Sequence, residues 1–311
     1  MDLKRFPSFY KTNMLTPTPG ERLTASPAVV LLLFFLILLA SQAGQAVVGS
    51  VAVLLLPDGA GHGVLLLVQL FSTVATVAAV LLYCLLGEQR SLTSLGLIRR
   101  GAVCEYAVGL LGGLLMFGGA VLICVATGTV TVRASSQTFS WGMAVLFLFG
   151  FLIQGMSEEL LCRSFLMVSL SRGFSLWACA VINALLFSVL HIGNHGISAV
   201  ALVNIFLFGL FASFLTLRRG SIWMAGALHS MWNFAQGNLF GIPVSGIQGI
   251  PAPLSSELAE GKWQEFINGG VFGLEGGLAV TAVLAVACAV VLFVPTKKAE
   301  IADNTNSRIK P

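Results

Sequence analysis

Eight long apolar runs constrain this chain more than any other feature of its sequence. A helix needs about 20 consecutive apolar residues to cross the hydrocarbon core of a bilayer. The runs cover 28–56, 64–86, 103–127, 141–170, 174–192, 197–217, 221–240 and 271–294. Only 10% of the residues are charged, against about 25% in a soluble domain. We therefore predict an all-α, polytopic membrane protein with about eight transmembrane helices.

No soluble domain fits between these runs, so the sequence predicts one membrane-embedded domain over residues 28–294. An amino-terminal segment over 1–27 and a polar tail over 295–311 flank it. The first run exceeds the roughly 7 to 15 residues of a cleavable signal peptide, so we expect it to be an uncleaved span. Before the last run, we expect a short amphipathic helix near Trp263 and Phe266.

The basic residues predict the orientation of the chain. With eight spans, the positive-inside rule favours cytoplasmic termini, because most of the 17 Lys and Arg residues then fall in cytoplasmic segments. Those residues are Lys4, Arg5, Lys11, Arg22, Arg90, Arg99, Arg100, Arg172, Arg218, Arg219, Lys297, Lys298, Arg308 and Lys310. This distribution explains the net charge of +4, and no nucleic-acid partner is expected.

Cysteines and glycines of the apolar runs predict packing and no chemistry. The six cysteines occur singly, without a CxxC pair, so neither a disulfide framework nor a cysteine zinc site is expected. We interpret them as small buried hydrophobic residues. The glycines of 109–119 have the spacing that lets membrane helices approach closely.

Ionisable residues inside the runs gather in the second half of the chain. A charge at the bilayer centre costs about 2.5 to 3.5 kcal/mol on insertion scales, so each such residue needs a partner or a function. These residues, with a neighbouring amide, are Glu158, Glu159, Arg163, His191, His229 and Asn233. The first two runs carry only the amides Gln42, Gln45 and Gln69 in their cores, and Glu105 and Glu275 lie near span ends, where snorkelling explains them.

Helical spacing separates the roles of the two adjacent glutamates. Glu159 and Arg163 are four residues apart, so they share a helix face and are predicted to pair. Glu158 points about 100° away and is expected to have no intrahelical partner. The alternative is that Ser157 caps a new helix that begins after a break at Gly155.

The two histidines have open interpretations of their own. Phe187 and His191 share a face, but His191 at the end of its run also fits an ordinary interfacial histidine. His195 lies in the following turn and is expected to be a loop residue. His229 and Asn233 share a face of the seventh run, where Asn233 suits either a helix–helix hydrogen bond or an oxyanion donor.

Together these residues predict a site that activates water. A carboxylate, two imidazoles and an amide supply a general base, a proton shuttle and an oxyanion donor. Glu158, His191 and His229 are also the residue types that bind zinc, although the HExxH spacing is absent. The sequence leaves the choice between metal-bound and metal-free water open.

Three motifs in order carry a family resemblance. "EELLCR" (158–163), "FSVLH" (187–191) and "HSMWN" (229–233) resemble the motifs of the CAAX prenyl proteases and bacteriocin-processing enzymes. The similarity covers roughly residues 141–240, which would form the motif-bearing core. It implies an intramembrane endopeptidase with its active site inside a helical bundle. It also implies a multi-pass protein of a bacterial plasma membrane whose substrate is a peptide or a membrane-associated protein.

The resemblance also implies a role for each motif residue. Glu158 would activate the water, and His191 would donate or accept the proton. His229 and Asn233 would hold the water or the oxyanion, while Glu159 and Arg163, with Phe187 beside them, would support the site. Zinc stays an open cofactor, with His191, His229 and Glu158 as its ligands.

Two other functions and one geometric difficulty accompany this prediction. A non-catalytic scaffold, or a self-immunity or partner-binding protein, would use the same fold, and a proton-coupled transporter would use Glu158 and the histidines as a relay. Straight helices would separate Glu158 from His191 by about 10 to 20 Å in depth. We therefore expect a break at Gly155, a tilted span or a membrane-parallel segment over 169–175.

Overall fold

Helices make up most of the part of the chain that the computed structural model describes, which is residues 14–17, 20–22, 26–57, 59–136 and 139–294. Most of the predicted amino-terminal segment and all of the predicted tail lie outside the described residues. The helices are α1 (Pro27–Leu54), α2 (His62–Ser72), α3 (Val74–Leu82), α4 (Ala102–Ala126), α5 (Trp141–Glu159), α6 (Val168–Leu170), α7 (Leu176–Val189), α8 (Ala199–Arg219), α9 (Trp223–Phe234), α10 (Lys262–Asn268) and α11 (Leu278–Phe293).

Wider π-helical turns extend or join some of these helices. They cover Tyr83–Gly87 after α3, Leu160–Met167 between α5 and α6, and Ala235–Leu239 after α9. The turn at Leu160–Met167 makes α5 and α6 one continuous helix, Trp141–Leu170. The predicted break at Gly155 is therefore wrong, since α5 continues through that residue.

Five helical segments of the described chain are long and apolar enough to cross a membrane. They are Pro27–Leu54, His62–Gly87, Ala102–Ala126, Trp141–Leu170 and Ala199–Arg219. The other three predicted spans correspond to α7, α9 and α11, which have 14, 12 and 16 residues. The helical class and the multi-pass membrane character are thus confirmed, and five of the eight predicted spans meet the length requirement.

The helix connections collect at two ends of the bundle, which we call the basic end and the loop end. The basic end comprises 88–101, 171–175 and 220–222, and the loop end comprises 127–140, 190–198 and 240–277. A backbone bond of 3.1 Å from Ile222 N to Gly96 O joins two connections of the basic end. At the loop end, Asn194 Nδ2 donates to Ser245 O at 3.1 Å.

The basic end contains a buried polar cluster that contacts the carboxyl-terminal part of the Trp141–Leu170 helix. Arg90 is 2% exposed and lies 3.5 Å from the Glu88 carboxylate. It donates to Ser94 O at 2.7 Å and to Ser164 O at 2.9 Å. Ser164 Oγ in turn donates to Leu95 O at 2.6 Å. These bonds join the 88–101 connection to the π-helical turn at Leu160–Met167.

Helix α9 lies between α4 and α5, in contact with glycines on both. On α4, Gly109 and Gly113 face the carbonyls of Met224 and Leu228 so closely that a Cβ would collide with them. On α5, Gly155 meets Ser230 in the same way. The close-packing prediction for 109–119 is confirmed at these contacts, and Gly155 provides close approach where the sequence suggested a helix break.

We expect Gly113→Ala to lower the free energy of unfolding by about 1 to 3 kcal/mol, because overpacking forces two helices apart. Gly118→Ala on the same helix is the matched control, since nothing lies within 4 Å of its Cβ position. Alanine there should be neutral or stabilise the helix by up to about 1 kcal/mol. Unfolding by SDS titration from detergent micelles measures both, and equal effects would contradict the packing argument.

The loop end contains a small sheet that the sequence did not predict. Strand β1 (Val130–Ala134) pairs antiparallel with β2 (Leu254–Leu258), with Val130 opposite Leu258. The short helix expected near Trp263 and Phe266 is confirmed as α10, and these side chains are 66% and 43% exposed. Exposed aromatic rings of this kind suit the membrane interface.

The cysteine prediction is confirmed for most positions. Cys84, Cys124, Cys162 and Cys179 are buried, Cys288 is half-buried and Cys104 is exposed. All six are free thiols.

Candidate active site

All four predicted catalytic residues line one cavity of about 520 Å³. Glu158, His191, His229 and Asn233 reach it from α5, from the turn after α7, and from α9. Its volume is within the roughly 300 to 1,000 Å³ of ordinary ligand pockets. The three motifs, which are separate in the sequence, therefore meet in a single concave site.

The predicted depth mismatch between Glu158 and His191 is wrong. Both residues are best measured from the turn that joins α6 to α7. At the 1.5 Å rise of an α-helix, Glu158 is about 18 Å of helix from Leu170 and His191 about 22 Å from Leu176, and both residues line the same cavity. The Trp141–Leu170 helix and α7, which the 171–175 turn joins, thus place Glu158 and His191 at similar depths without a break or a membrane-parallel segment.

The predicted pair between Glu159 and Arg163 is confirmed. Arg163 Nη1 donates to Glu159 Oε1 at 2.9 Å, and both side chains are 0% exposed. Arg163 Nη2 also donates to Gly209 O of α8 at 3.3 Å. Its guanidinium carbon lies 4.6 Å from the centre of the Phe187 ring, a cation–π distance. The pair thereby ties α5 to α7 and α8.

Glu159 also orients His229. The Glu159 Oε1 atom lies 3.0 Å from His229 Nδ1. A carboxylate only accepts hydrogen bonds, so the ring proton sits on Nδ1 and Nε2 is the free nitrogen. The Phe187 and Phe208 rings meet the imidazole edge-on, with centroids at 6.0 and 4.9 Å. This carboxylate–histidine pair fixes the ring plane and the tautomer.

Glu158 differs from its neighbour in exposure and in partners. Its side chain is 31% exposed to the cavity, and its Oε2 lies 3.7 Å from His229 Nε2. Gln154 Nε2 donates to Glu158 Oε1 at 2.5 Å. The prediction that Glu158 lacks an intrahelical partner is therefore wrong, because Gln154 is one turn earlier on the same face.

Ser157 does not cap a helix. Its hydroxyl donates to Gln154 O at 2.7 Å within α5, which is the back-bond of a serine inside a helix. The alternative in which Ser157 begins a new helix is therefore wrong.

Gln154 is a site residue that the sequence analysis missed. Asn233 Nδ2 donates to Gln154 Oε1 at 3.0 Å, so Gln154 connects the α9 amide to the Glu158 carboxylate. Its position four residues before Glu158 was the available signal. Asn233 accordingly makes the helix–helix hydrogen bond, one of the two predicted alternatives, while still lining the cavity.

His191 is positioned by its own helix. Its Nδ1 lies 2.8 Å from Phe187 O, and because a carbonyl only accepts, Nδ1 carries the proton. The Nε2 atom is then an acceptor in the neutral ring, which also contacts Phe187 at a centroid distance of 4.9 Å. His195, predicted to be a loop residue, is exposed in the turn after α7.

A smaller cavity of about 30 Å³ adjoins the site, with room for about two water molecules. His191, His229 and Glu275 help to line it. Glu275 Oε2 accepts hydrogen bonds from the backbone N and the hydroxyl of Ser245, each at 2.8 Å. Glu275 thus joins two parts of the 240–277 connection beside the smaller cavity, and Gln236 Nε2 donates to the same oxygen at 3.4 Å, so snorkelling does not explain this residue.

The predicted zinc ligands do not form a preformed metal site. Within the described ranges, no group of three or more His, Cys, Asp or Glu side chains is arranged to hold a metal ion. The Nδ1 bonds of His191 to Phe187 O and of His229 to Glu159 leave both Nε2 atoms free, as in histidines that bind a metal. One Glu158 oxygen is bound to Gln154. Because the three side chains are not gathered as a ligand set, the chemistry considered below uses the side chains alone.

The Glu158–His229 gap defines what the site can do. With Glu158 ionised and His229 neutral, Oε2 and Nε2 are both acceptors, so they cannot bond each other. Glu158 Oε2 is buried and has no hydrogen-bond partner among the described residues, although the side chain as a whole is 31% exposed. A rotation of the carboxylate that opens Oε2 to the cavity would let one water molecule donate a proton to each acceptor and satisfy both. The pair is therefore suited to binding and polarising one water molecule.

Comparison with known families supports the motif analysis. Residues 140–235 match the model of the family described as type II CAAX prenyl endopeptidase Rce1-like. The match spans about a third of the chain and includes every predicted site residue. It confirms the resemblance that the three motifs indicated. No curated protein matches the chain.

Proposed function

We propose that this protein is an intramembrane endopeptidase that hydrolyses a peptide bond with a water molecule activated by Glu158. One observation carries the proposal: Glu158 and His229, whose Oε2 and Nε2 atoms lie 3.7 Å apart, line a cavity that is large enough for a peptide segment. The match of residues 140–235 to a protease family supports it. The orientation with both termini cytoplasmic belongs to this proposal and rests on the distribution of basic residues.

In the first step, the Glu158 carboxylate removes a proton from the bound water. The resulting hydroxide attacks the carbonyl carbon of the peptide, and the carbonyl π electrons move to oxygen to give a tetrahedral oxyanion. His229 holds the water in line through Nε2, because Glu159 keeps the proton on Nδ1. A positioned general base of this kind contributes about 10²- to 10⁴-fold in rate.

In the second step, the oxyanion collapses and the C–N bond breaks. The proton that Glu158 took from water passes to the leaving nitrogen, directly or through His191, so the products are a carboxylic acid and an amine. Asn233 lies within the same cavity as an amide donor to the oxyanion. Its bond to Gln154 holds it in place until substrate arrives.

The proposal is tested with purified protein in detergent and a library of quenched peptides. Wild type is compared with Glu158→Gln and with Glu257→Gln, a surface carboxylate 67% exposed in β2. Cleavage by wild type and Glu257→Gln, absent with Glu158→Gln, is the expected result. A folded wild-type protein that cleaves no peptide would favour the non-catalytic scaffold.

Gln154→Leu is expected to lower kcat about tenfold while leaving the protein folded. The substitution removes the bonds that join Asn233 to Glu158. The neutral bond to Asn233 is worth about 0.5 to 1.5 kcal/mol and the bond to the Glu158 carboxylate about 1.5 to 3 kcal/mol, and we expect part of this to appear in kcat. Gln154→Glu keeps the side-chain length, but it replaces the amide donor to Glu158 with a second carboxylate. Its kcat should fall further, because like charges at this spacing repel. Steady-state kinetics on a cleaved peptide measure kcat for both variants. An unchanged kcat in both would contradict the role of Gln154 in positioning Glu158 and Asn233.

A further inference from the structure

A second part of the cavity wall is polar, although it comes from the first two apolar runs. Gln42 and Gln45 of α1 line the cavity with Gln69 of α2, Thr73 between α2 and α3, and Thr76 of α3. These five residues, which we call the amide wall, lie outside the range 140–235 that matches the protease family. The hydrolytic chemistry proposed above does not use them.

Two amides of this wall have no protein partner. Gln45 Nε2 donates to Thr76 Oγ1 at 2.9 Å, and Thr73 Oγ1 donates to Leu70 O at 2.6 Å. Within the described part of the chain, the side-chain amides of Gln42 and Gln69 make no such bond, and both side chains are exposed. Polar groups at membrane depth are costly unless they are satisfied, so this pair is available to a ligand.

The two free amides come from different helices, Gln42 from α1 and Gln69 from α2. A peptide that pairs with both would lie across the two helices. Groups on one edge of an extended chain recur every second residue, at about 6.6 Å, so an extended chain can offer its backbone to both amides. A primary amide offers both a donor and an acceptor, so it can pair with the N–H and C=O of a peptide backbone.

Other residues of the cavity lining supply apolar surface. Leu38, Phe151, Leu190 and Ile247 line the same cavity. A peptide brought into the membrane must satisfy its own backbone groups, whereas a lipid or isoprenoid chain has no such groups to pair. The combination of free amides and apolar surface therefore favours an extended polypeptide with apolar side chains.

We propose that the amide wall is the substrate-binding site for the main chain, with Gln42 and Gln69 hydrogen-bonding the backbone of an extended apolar peptide beside Glu158. This inference rests on the proposed peptidase function for the identity of the ligand as a substrate. Hydrogen bonds to a peptide backbone do not depend on the amino-acid sequence of the peptide. Selectivity among peptides would therefore come from the apolar residues of the cavity lining.

The test measures binding without cleavage. The background is Glu158→Gln, and the probe is a fluorescein-labelled decapeptide of Leu, Ala and Phe, with a second copy methylated at alternate backbone nitrogens. Gln42→Leu and Gln69→Leu are combined in this background, since leucine is well tolerated by a membrane helix. Gln264→Leu on α10, which does not line the cavity, is the matched control. Fluorescence anisotropy gives each Kd.

We expect the double leucine variant to bind the unmethylated peptide about tenfold more weakly, as for two neutral hydrogen bonds. Its affinity for the methylated peptide should stay unchanged, and Gln264→Leu should alter neither. Equal affinity with and without the two glutamines would overturn the inference. So would an equal loss for both peptides, or no binding of the peptide at all.

Failure of this inference is distinguishable from failure of the proposed function. If wild type cleaves peptides and the leucine variants keep the same KM, the hydrolytic site stands and the amide wall does not bind the main chain. If peptides bind through the two glutamines but neither the wild type nor any variant cleaves them, the binding role of the amide wall is supported and the proposed peptidase function is contradicted.

Discussion

Glu158→Gln is expected to lower peptide hydrolysis by about 10²- to 10⁴-fold, because a glutamine amide cannot accept a proton from water at neutral pH. The fold should survive the change. The Glu158 side chain is 31% exposed to the cavity, and a glutamine can keep the bond to Gln154. We therefore expect a change of less than about 1 kcal/mol in the free energy of unfolding, as for other sites that are not fully buried.

The measurement combines kcat/KM on one cleaved peptide with SDS-titration unfolding of the same samples. Glu158→Asp is the informative companion, since it keeps a carboxylate but withdraws it by one methylene from His229. Partial activity in Glu158→Asp with none in Glu158→Gln identifies a general base. If Glu158→Gln unfolds instead, Glu158 is a structural residue and the catalytic role fails.

Glu159→Leu is expected to cost about 3 to 5 kcal/mol of folding free energy, the penalty for leaving a buried charge without its partner. Arg163 would keep only the Gly209 carbonyl and the Phe187 ring as neighbours for its guanidinium. The reciprocal change, Arg163→Met, should cost less, because Glu159 retains His229 at 3.0 Å. Combining the two substitutions should recover part of the loss, since no charge is then left buried.

Arg219→Met is the matched control for this comparison. Arg219 pairs with Glu105 at 2.8 Å, but its side chain is 38% exposed, and pairs of this kind contribute about 0 to 1 kcal/mol. SDS-titration unfolding of all four proteins gives the comparison. If Glu159→Leu costs no more than Arg219→Met, the buried pair is not what fixes α5 against its neighbours.

Glu158 and Glu159 are adjacent on one helix but have different surroundings. Glu159 points between helices and is 0% exposed, where it binds Arg163 and His229. Glu158 lines the cavity with a side chain that is 31% exposed, and its buried Oε2 has no hydrogen-bond partner among the described residues. The difference between a fully buried carboxylate and a partly exposed one follows from the 100° rotation per residue, and the sequence correctly predicted the Glu159–Arg163 pair.

The sequence failed where a contact depends on how two helices are rotated against each other. It could not indicate that Gln154 bridges Asn233 and Glu158 or that Glu159 orients His229, because these bonds join α5 to α9. The strand pair β1–β2 was missed for a different reason: its two strands lie far apart in the chain, and local spacing does not show which segments will pair.

The sequence by itself determined which segments are apolar helices, which residues share a face on each, and the order of the three motifs. Local spacing along a helix fixes these properties. Only the tertiary structure decided that the motifs meet at one depth and that the first two runs contribute an amide wall. The reason is packing: α9 can lie beside Glu158 and Glu159 only because Gly113 and Gly155 allow backbones to approach, and a glycine in the sequence does not name the helix it will contact.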